Sequence, residues 1–353
     1  MRINPSEFEP FSYIPGLAYG ALVRMRNCLY SAALFPQHRL KNPVVSIGNI
    51  TAGGSGKTPL VIYIARTLSK LGWNPAILSR GYGRRHPNQT RILAPEDSAS
   101  SPAALLGDEP ALIRRHLPDA WIGLSKNRFR TGTDIATRLG RIVFVLDDGF
   151  QHRQLHRDLD VVIIDRSQPL MANHLLPRGT LREPLSGLRR CHVVVINGAP
   201  ETGSSDSLET EIRNFHPDAV IFHCTQVIRS LIPFPSWLRN SSHPVSAETP
   251  RAAYLVSALG NPGRFLRDVR RRGIEVRGSR SYPDHHRLEQ KEWLACTDEA
   301  RSLAVDAIIT TEKDAVKISR PPDFPLLVSI QSTELSDAGK FELVLKSCIE
   351  KYA

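Results

Sequence analysis

Short apolar runs separated by amphipathic stretches organise this chain. Residues 43–47, 74–78, 141–146, 159–164 and 192–196 are rich in β-branched side chains and too short for buried helices, which predicts buried strands. Between them, residues 59–71 carry apolar positions at helical spacing and stop at Gly72. Gly107-Asp108-Glu109-Pro110 opens a helix to about His116, residues 121–124 read as a short strand, and residues 128–139 as a further helix. Strand, helix, strand in this order predicts a parallel sheet covered by helices. The Pro/Ser/Ala stretch 87–102 reads as a surface excursion and 198–207 as a loop.

Residues 228–251 are rich in Pro and Ser, which sets a domain boundary within 215–250. Beyond it, strand-like runs at 252–256, 278–283 and 307–311 alternate with helical patterns, including one from Leu288, and no solenoid period is present. The expected organisation is an N-terminal helical segment 1–42, a larger α/β domain 43–225, a linker 226–250 and a smaller α/β domain 251–353. In the first segment, Ile14, Leu17, Ala18, Ala21, Leu22, Met25, Cys28, Leu29, Ala32 and Ala33 fall on one helical stripe within 11–35, with Arg24, Arg26 and Asn27 mostly off it. Such a helix either packs on the protein's own core or lies in a membrane interface.

Composition narrows the partners. A chain of 353 residues with 41% hydrophobic residues supports a substantial core, more in keeping with two domains than one. The five cysteines are scattered, with no C-x-x-C pair, so neither a disulfide frame nor a zinc site is expected. A formal charge of +11 and a pI near 9.7 favour an anionic partner. No nucleic-acid-binding module is visible and aromatics are only 7%, which argues against single-strand stacking platforms. No apolar stretch approaches a membrane span, and Glu7 and Glu9 precede any apolar run, unlike a signal peptide.

Thr51-Ala52-Gly53-Gly54-Ser55-Gly56-Lys57-Thr58 sits between the first strand and the first helix, the setting of a phosphate-binding loop. Its glycines let backbone N–H groups face inward, Lys57 reaches the outer phosphates, and Thr58 supplies an oxygen for Mg²⁺. The strict pattern has glycine where Thr51 stands. Dimerising partition ATPases carry a lysine where Ala52 stands, so a dimer of that type is disfavoured. Asp147-Asp148, at the end of a neighbouring strand, fits the acidic centre that holds Mg²⁺ on a triphosphate. Asp108 is either a proton acceptor for a hydroxyl substrate or a helix N-cap. His285, in Tyr282-Pro283-Asp284-His285-His286, can orient such a carboxylate or serve the loop's structure. Three classes fit these features: a kinase with an alcohol acceptor, a regulatory ATPase, and a kinase or ligase acting on a soluble metabolite.

Taken together, the strings resemble the tetraacyldisaccharide 4′-kinase family. Val45-Ser46-Ile47-Gly48-Asn49-Ile50 leading into the loop, Ser79-Arg80-Gly81-Tyr82-Gly83, Gly107-Asp108-Glu109-Pro110, Asp147-Asp148-Gly149-Phe150-Gln151-His152, Leu181-Arg182-Glu183-Pro184, Gly260-Asn261-Pro262, Pro283-Asp284-His285-His286 and Thr311-Glu312-Lys313-Asp314-Ala315 occur in family order, Thr51 included. The resemblance implies a P-loop NTPase-like α/β fold with a second, smaller α/β domain. It also implies ATP- and Mg²⁺-dependent phosphorylation of the 4′-hydroxyl of a tetraacylated disaccharide 1-phosphate, in the making of lipid A. By the same resemblance, residues 51–58 bind ATP; Thr58, Asp147, Asp148 and Glu183 form the metal centre; Asp108 is the base, with His285 its partner across an interdomain cleft; and Arg80, Tyr82, Arg128 and Gln151 contact substrate or phosphate. The enzyme is expected as a peripheral monomer on the cytoplasmic face of a bacterial inner membrane, meeting acidic lipid through its N-terminal helix.

Overall fold

The computed structural model describes residues 9–97, 103–168, 170–171, 173–199, 207–239 and 246–352. The strands are β1 (Val44–Gly48), β2 (Asn74–Ser79), β3 (Arg91–Leu93), β4 (Trp121–Leu124), β5 (Ile142–Asp147), β6 (Leu159–Asp165), β7 (Val193–Asn197), β8 (Val220–Pro233), β9 (Ala252–Ser257), β10 (Glu275–Ser281), β11 (Ala307–Thr311) and β12 (Leu326–Leu335). Two compact units divide the chain: Met1–Ser79, Asn127–Thr225 and Glu334–Ala353 form the first, Arg80–Lys126 and Gln226–Thr333 the second. The segment Arg80–Lys126, which lies inside the larger domain in the linear reading, thus groups with the C-terminal unit.

In the first unit β2, β5, β1, β6, β7 and the start of β8 are parallel neighbours in that order. Strands β1, β5, β6 and β7 are buried at every residue, as their near-continuous Val, Ile and Leu runs require when both sheet faces are covered. The helix Lys57–Lys70 buries Leu60, Val61, Ile64 and Leu68. Chain order reverses direction around β1, whose carboxyl end opens the crevice where such sheets bind ligands. Below that crevice, Ile50, Phe150, Leu181 and Leu188 share one core cluster, so both flanks of the phosphate loop are rooted in apolar packing.

In the second unit β10, β9, β11 and β12 are parallel neighbours, and β3 pairs antiparallel with β4. Phe234, Trp237, Tyr254 and Trp293 dominate one core cluster and Phe265 and Val269 another. Residues 226–233, expected as linker, complete β8, and Phe234–Leu238 is a short helix. Cys224, Gln226 and Ile228 alternate into the buried side, followed by Leu231 and Ile232. The prolines and serines that read as linker cluster only after this run. The helices Ser207–Phe215 and Ala338–Glu350 and strand β12 had no counterpart in the sequence reading. Parts of three expected loops (98–102, 200–206, 240–245) and residues 1–8 lie outside the described residues.

The N-terminal helix spans Glu9–Ser31, ending before the expected 35. It docks on the first unit through Gly16, Gly20 and Val23, which are buried. Its apolar stripe faces outward: Ile14, Leu17, Leu22 and Met25 are 75%, 57%, 60% and 56% exposed. A Cβ on Gly20 would stand 2.9 Å from Leu175 Cδ1, so any larger residue there would push the Leu175 side chain aside. Among the described residues no helix is long and apolar enough to cross a membrane.

Candidate active site

Leaving β1, the chain passes through buried Asn49 and Ile50 into the loop and enters the helix Lys57–Lys70 at Gly56, whose φ of 87° glycine adopts without a Cβ penalty. The loop is walled by residues 180–182. Ala52 N–H donates to Thr180 O at 2.6 Å, Arg182 N–H donates to Ile50 O at 2.8 Å, and Thr51 bridges Leu181. Asn197 Nδ2 donates to Ser55 O at 2.8 Å. Ser55 is buried, and its hydroxyl has no hydrogen-bond partner among the described residues. The helix start carries no side-chain cap, so its first amides remain available to an anion.

Lys57 Nζ donates to Asn49 Oδ1 at 3.1 Å and stands 3.5 Å from Asp148 Oδ1. Arg182 Nη1 binds both Asp148 oxygens, at 2.8 and 2.9 Å, and Arg128 Nη1 donates to the Asp148 carbonyl at 3.1 Å. Burial pushes the Asp148 carboxyl up, but Lys57, Arg182 and Arg128 outweigh it and hold it below the usual carboxylate range. Gln151 Nε2 donates to Asn49 O at 3.0 Å, and its Oε1 accepts from Arg182 at 3.3 Å. Arg128 and Gln151 are therefore drawn to this corner as organisers of its backbone and of Asp148. Asp147 is buried, in register with Ile47 of β1, and accepts from Ser79 Oγ at 2.9 Å.

Glu183 departs from its expected place in a metal cluster. It is fully buried and accepts from Asn27 Nδ2 at 2.8 Å and from Arg190 Nη2 at 2.9 Å. A buried carboxylate stripped of such partners costs roughly 3–5 kcal/mol, which explains why it is held this way. Among the described residues no group of three or more His, Cys, Asp and Glu side chains is arranged to hold a metal. Asp148 is engaged by cations and Glu183 by Asn27 and Arg190; the other two expected ligands, Thr58 in the first turn of the helix and Asp147 at the end of β5, carry oxygens of the right kind. They fit a hard divalent cation that takes one or two protein oxygens and completes its shell with phosphate and water.

In the second unit, Asp108 is the first residue of the helix Asp108–His116. Its Oδ2 lies 3.2 Å from His285 Nδ1 and 3.9 Å from Lys317 Nζ. Both partners belong to one unit, so the pair does not span an interdomain cleft as expected from sequence. His285 has a left-handed backbone, φ 65°, and its ring packs at 5.3 Å from that of exposed Tyr82. The Asp108 hydrogen bond raises the His285 pKa, against burial and Lys313, with help from Glu109 and Asp284. Lys313 Nζ bridges Glu109 at 3.1 Å and Asp284 at 2.9 Å, fixing the loop that carries the histidine. Arg80 is exposed in the same unit.

Sequence reading assigned no role to Asn49, Arg182, Glu109, Lys313 or Lys317. Arg182 and Lys313 lie inside recognised strings, and a basic residue beside a required carboxylate was the available signal.

A family model described as tetraacyldisaccharide-1-P 4′-kinase matches residues 9–350. The chain is 34% identical to the tetraacyldisaccharide 4′-kinase of Syntrophus aciditrophicus over 95% of its own length and 91% of the relative's. It is 38% identical to that of Anaeromyxobacter dehalogenans over 85% and 79%. Its fold resembles a crystal structure of apo-form LpxK from Aquifex aeolicus in complex with ATP, with a TM-score of 0.73 and 29% identity, covering 98% of this chain and 99% of that one. The chain belongs to the tetraacyldisaccharide 4′-kinase family of lipid kinases.

Proposed function

We propose that this kinase transfers the γ-phosphate of ATP to the 4′-hydroxyl of a tetraacyldisaccharide 1-phosphate, with Mg²⁺ on the nucleotide and Asp108 as base. A phosphate loop alone fits any ATPase. What favours an alcohol acceptor is the Asp108–His285 contact of 3.2 Å, a proton acceptor held in one orientation. Lys57 and the amides at the helix start bind the phosphate oxygens and offset their charge. Thr58 and Asp147 would hold Mg²⁺, which supplies further charge compensation to the β- and γ-phosphates. Asp108, fixed through Oδ2 by His285, offers Oδ1 to the acceptor hydroxyl and takes its proton as the oxygen attacks the γ-phosphorus and the bond to the β,γ-bridging oxygen breaks, releasing ADP. Arg80 and Tyr82 are exposed in the same unit as Asp108 and are available to the substrate.

The acceptor is an amphiphile, and the first unit offers matching surface. A cavity of about 330 Å³ beside the N-terminal helix combines Leu17, Leu175 and Leu185 with Arg24 and Arg178, apolar walls with cationic groups for an acylated sugar phosphate. The exposed stripe from Ile14 to Met25 supports peripheral binding at the cytoplasmic face of an inner membrane, with acidic lipid balancing the basic chain. We take the working form as a monomer that uses no nucleic acid. Incubation with γ-labelled ATP, Mg²⁺ and the disaccharide 1-phosphate lipid should yield label in the lipid on thin-layer separation. Label released only as free phosphate would sink the transfer reading.

A further inference from the structure

We infer that the N-terminal helix is coupled to the nucleotide site, with Asn27 as a positioning residue that acts through Glu183 and Arg182 on the Asp148–Lys57 pair. This rests on the reading of residues 51–58 as the ATP site. The connection is continuous and lies within one unit. Tyr19 Oη donates to Arg182 O at 2.9 Å and Asn27 Nδ2 to Glu183 Oε2 at 2.8 Å, so two consecutive residues are bolted to one helix. Arg153 Nη1 donates back to Asn27 O at 2.8 Å and Nη2 to Ser31 Oγ at 3.2 Å, which extends the hold on the helix to its next turn. From Arg182 the path divides. Its backbone N–H holds Ile50 O at the root of the loop, and its guanidinium grips Asp148, which faces Lys57 at 3.5 Å.

Glu183 makes this coupling more than adjacency. Its carboxylate is fully buried: Oε2 accepts from Asn27 and Arg190, and Oε1, with no hydrogen-bond partner among the described residues, has Arg26 Nη2 at 3.9 Å. Losing Asn27 removes one of the two hydrogen bonds to a buried carboxylate that keeps Arg190 and Arg26 as its cations, and the expected local response is a shift of the 181–184 segment that walls the loop. The outward stripe of the same helix is the surface proposed to meet lipid, so a change at the lipid face reaches the phosphate loop through this path. Coupling of this kind is reciprocal: nucleotide that favours one placement of Arg182 must also favour the docked helix.

The test measures equilibrium binding of a fluorescent ATP analogue with Mg²⁺ by the intact protein without lipid, together with amide exchange over the helix. Asn27→Ala should weaken analogue binding at least fivefold, and in the wild type the analogue should slow exchange around Asn27, an effect mostly lost in the variant. Should Asn27→Ala fail to fold, Tyr19→Phe removes a single oxygen and carries the same test, with at least a twofold loss expected. Wild-type affinity in the variant that folds, or exchange in the wild-type helix indifferent to the analogue, overturns the coupling. No analogue binding by the wild type would instead defeat the underlying reading of the loop.

Discussion

Two site residues occupy backbone that L-amino acids adopt reluctantly. Asp148 has φ 52° and His285 φ 65°. Each such residue costs on the order of 1–3 kcal/mol and persists because its surroundings over-determine it. Around Asp148 the surroundings are Arg182, Lys57 and the Arg128 bond to its carbonyl; around His285 they are Asp108 and the Lys313-braced loop. If Asp108 takes the acceptor proton, Asp108→Ala should lower kcat by at least ~10²-fold while ATP affinity is largely kept, because Asp108 is not part of the phosphate loop 51–58. Steady-state kinetics with near-normal turnover would remove it from the mechanism. His285 gives a second prediction with a defined sign. Its folded pKa is raised, chiefly by Asp108, so its stabilising contribution is full below the free-histidine value of about 6.5 and fades as pH rises through the folded value. The Tm gap between wild type and His285→Gln should therefore be widest near pH ~6 and narrow toward pH ~9. A gap that widens with pH would contradict the ion pair.

At the scale of elements, the N-terminal helix separates what periodicity reveals from what it conceals. The apolar stripe was legible because it follows the 3.6-residue repeat. Which face docks was not, since docking uses Gly16, Gly20 and the polar groups of Tyr19 and Asn27 beside a single buried aliphatic residue, Val23, too little for a hydrophobic signal. The phosphate loop was legible for the opposite reason: its chemistry is packed into contiguous residues 51–58, and propensity, glycine content and strand context all agree. Asp108 and His285 stand 177 positions apart, so their contact was reachable only through family resemblance. Glu183 shows the limit of resemblance itself, because a string identifies a carboxylate and does not say that Asn27 and Arg190 will bind it. Outward exposure of the stripe yields a direct expectation. Met25→Glu, 56% exposed, should leave the melting temperature within a degree or two of wild type, since exposed changes are usually worth about ±0.5 kcal/mol, yet weaken liposome flotation severalfold. Unchanged flotation would argue that the stripe does not touch lipid.

For the molecule as a whole, the proposed attachment to an anionic bilayer would draw on two forces with different salt responses. The chain carries a formal charge of +11, and lysines and arginines near such a surface contribute about 1 kcal/mol each until screened. Screening acts over ~10 Å at 0.1 M salt and ~3 Å at 1 M, so this attraction is almost gone at the higher value. The apolar stripe behaves otherwise, because removal of Ile14, Leu17, Leu22 and Met25 from water does not depend on charge and is not weakened by screening. If both forces operate, flotation with vesicles containing anionic phospholipid should fall severalfold from ~0.1 to ~1 M salt and then level off at a residual value. Met25→Glu should start lower and level off at a smaller residual value, since Ile14, Leu17 and Leu22 keep part of the unscreened component. Binding by the wild type that disappears completely at high salt would assign membrane attachment to charge alone, and binding indifferent to salt would assign it to the helix alone.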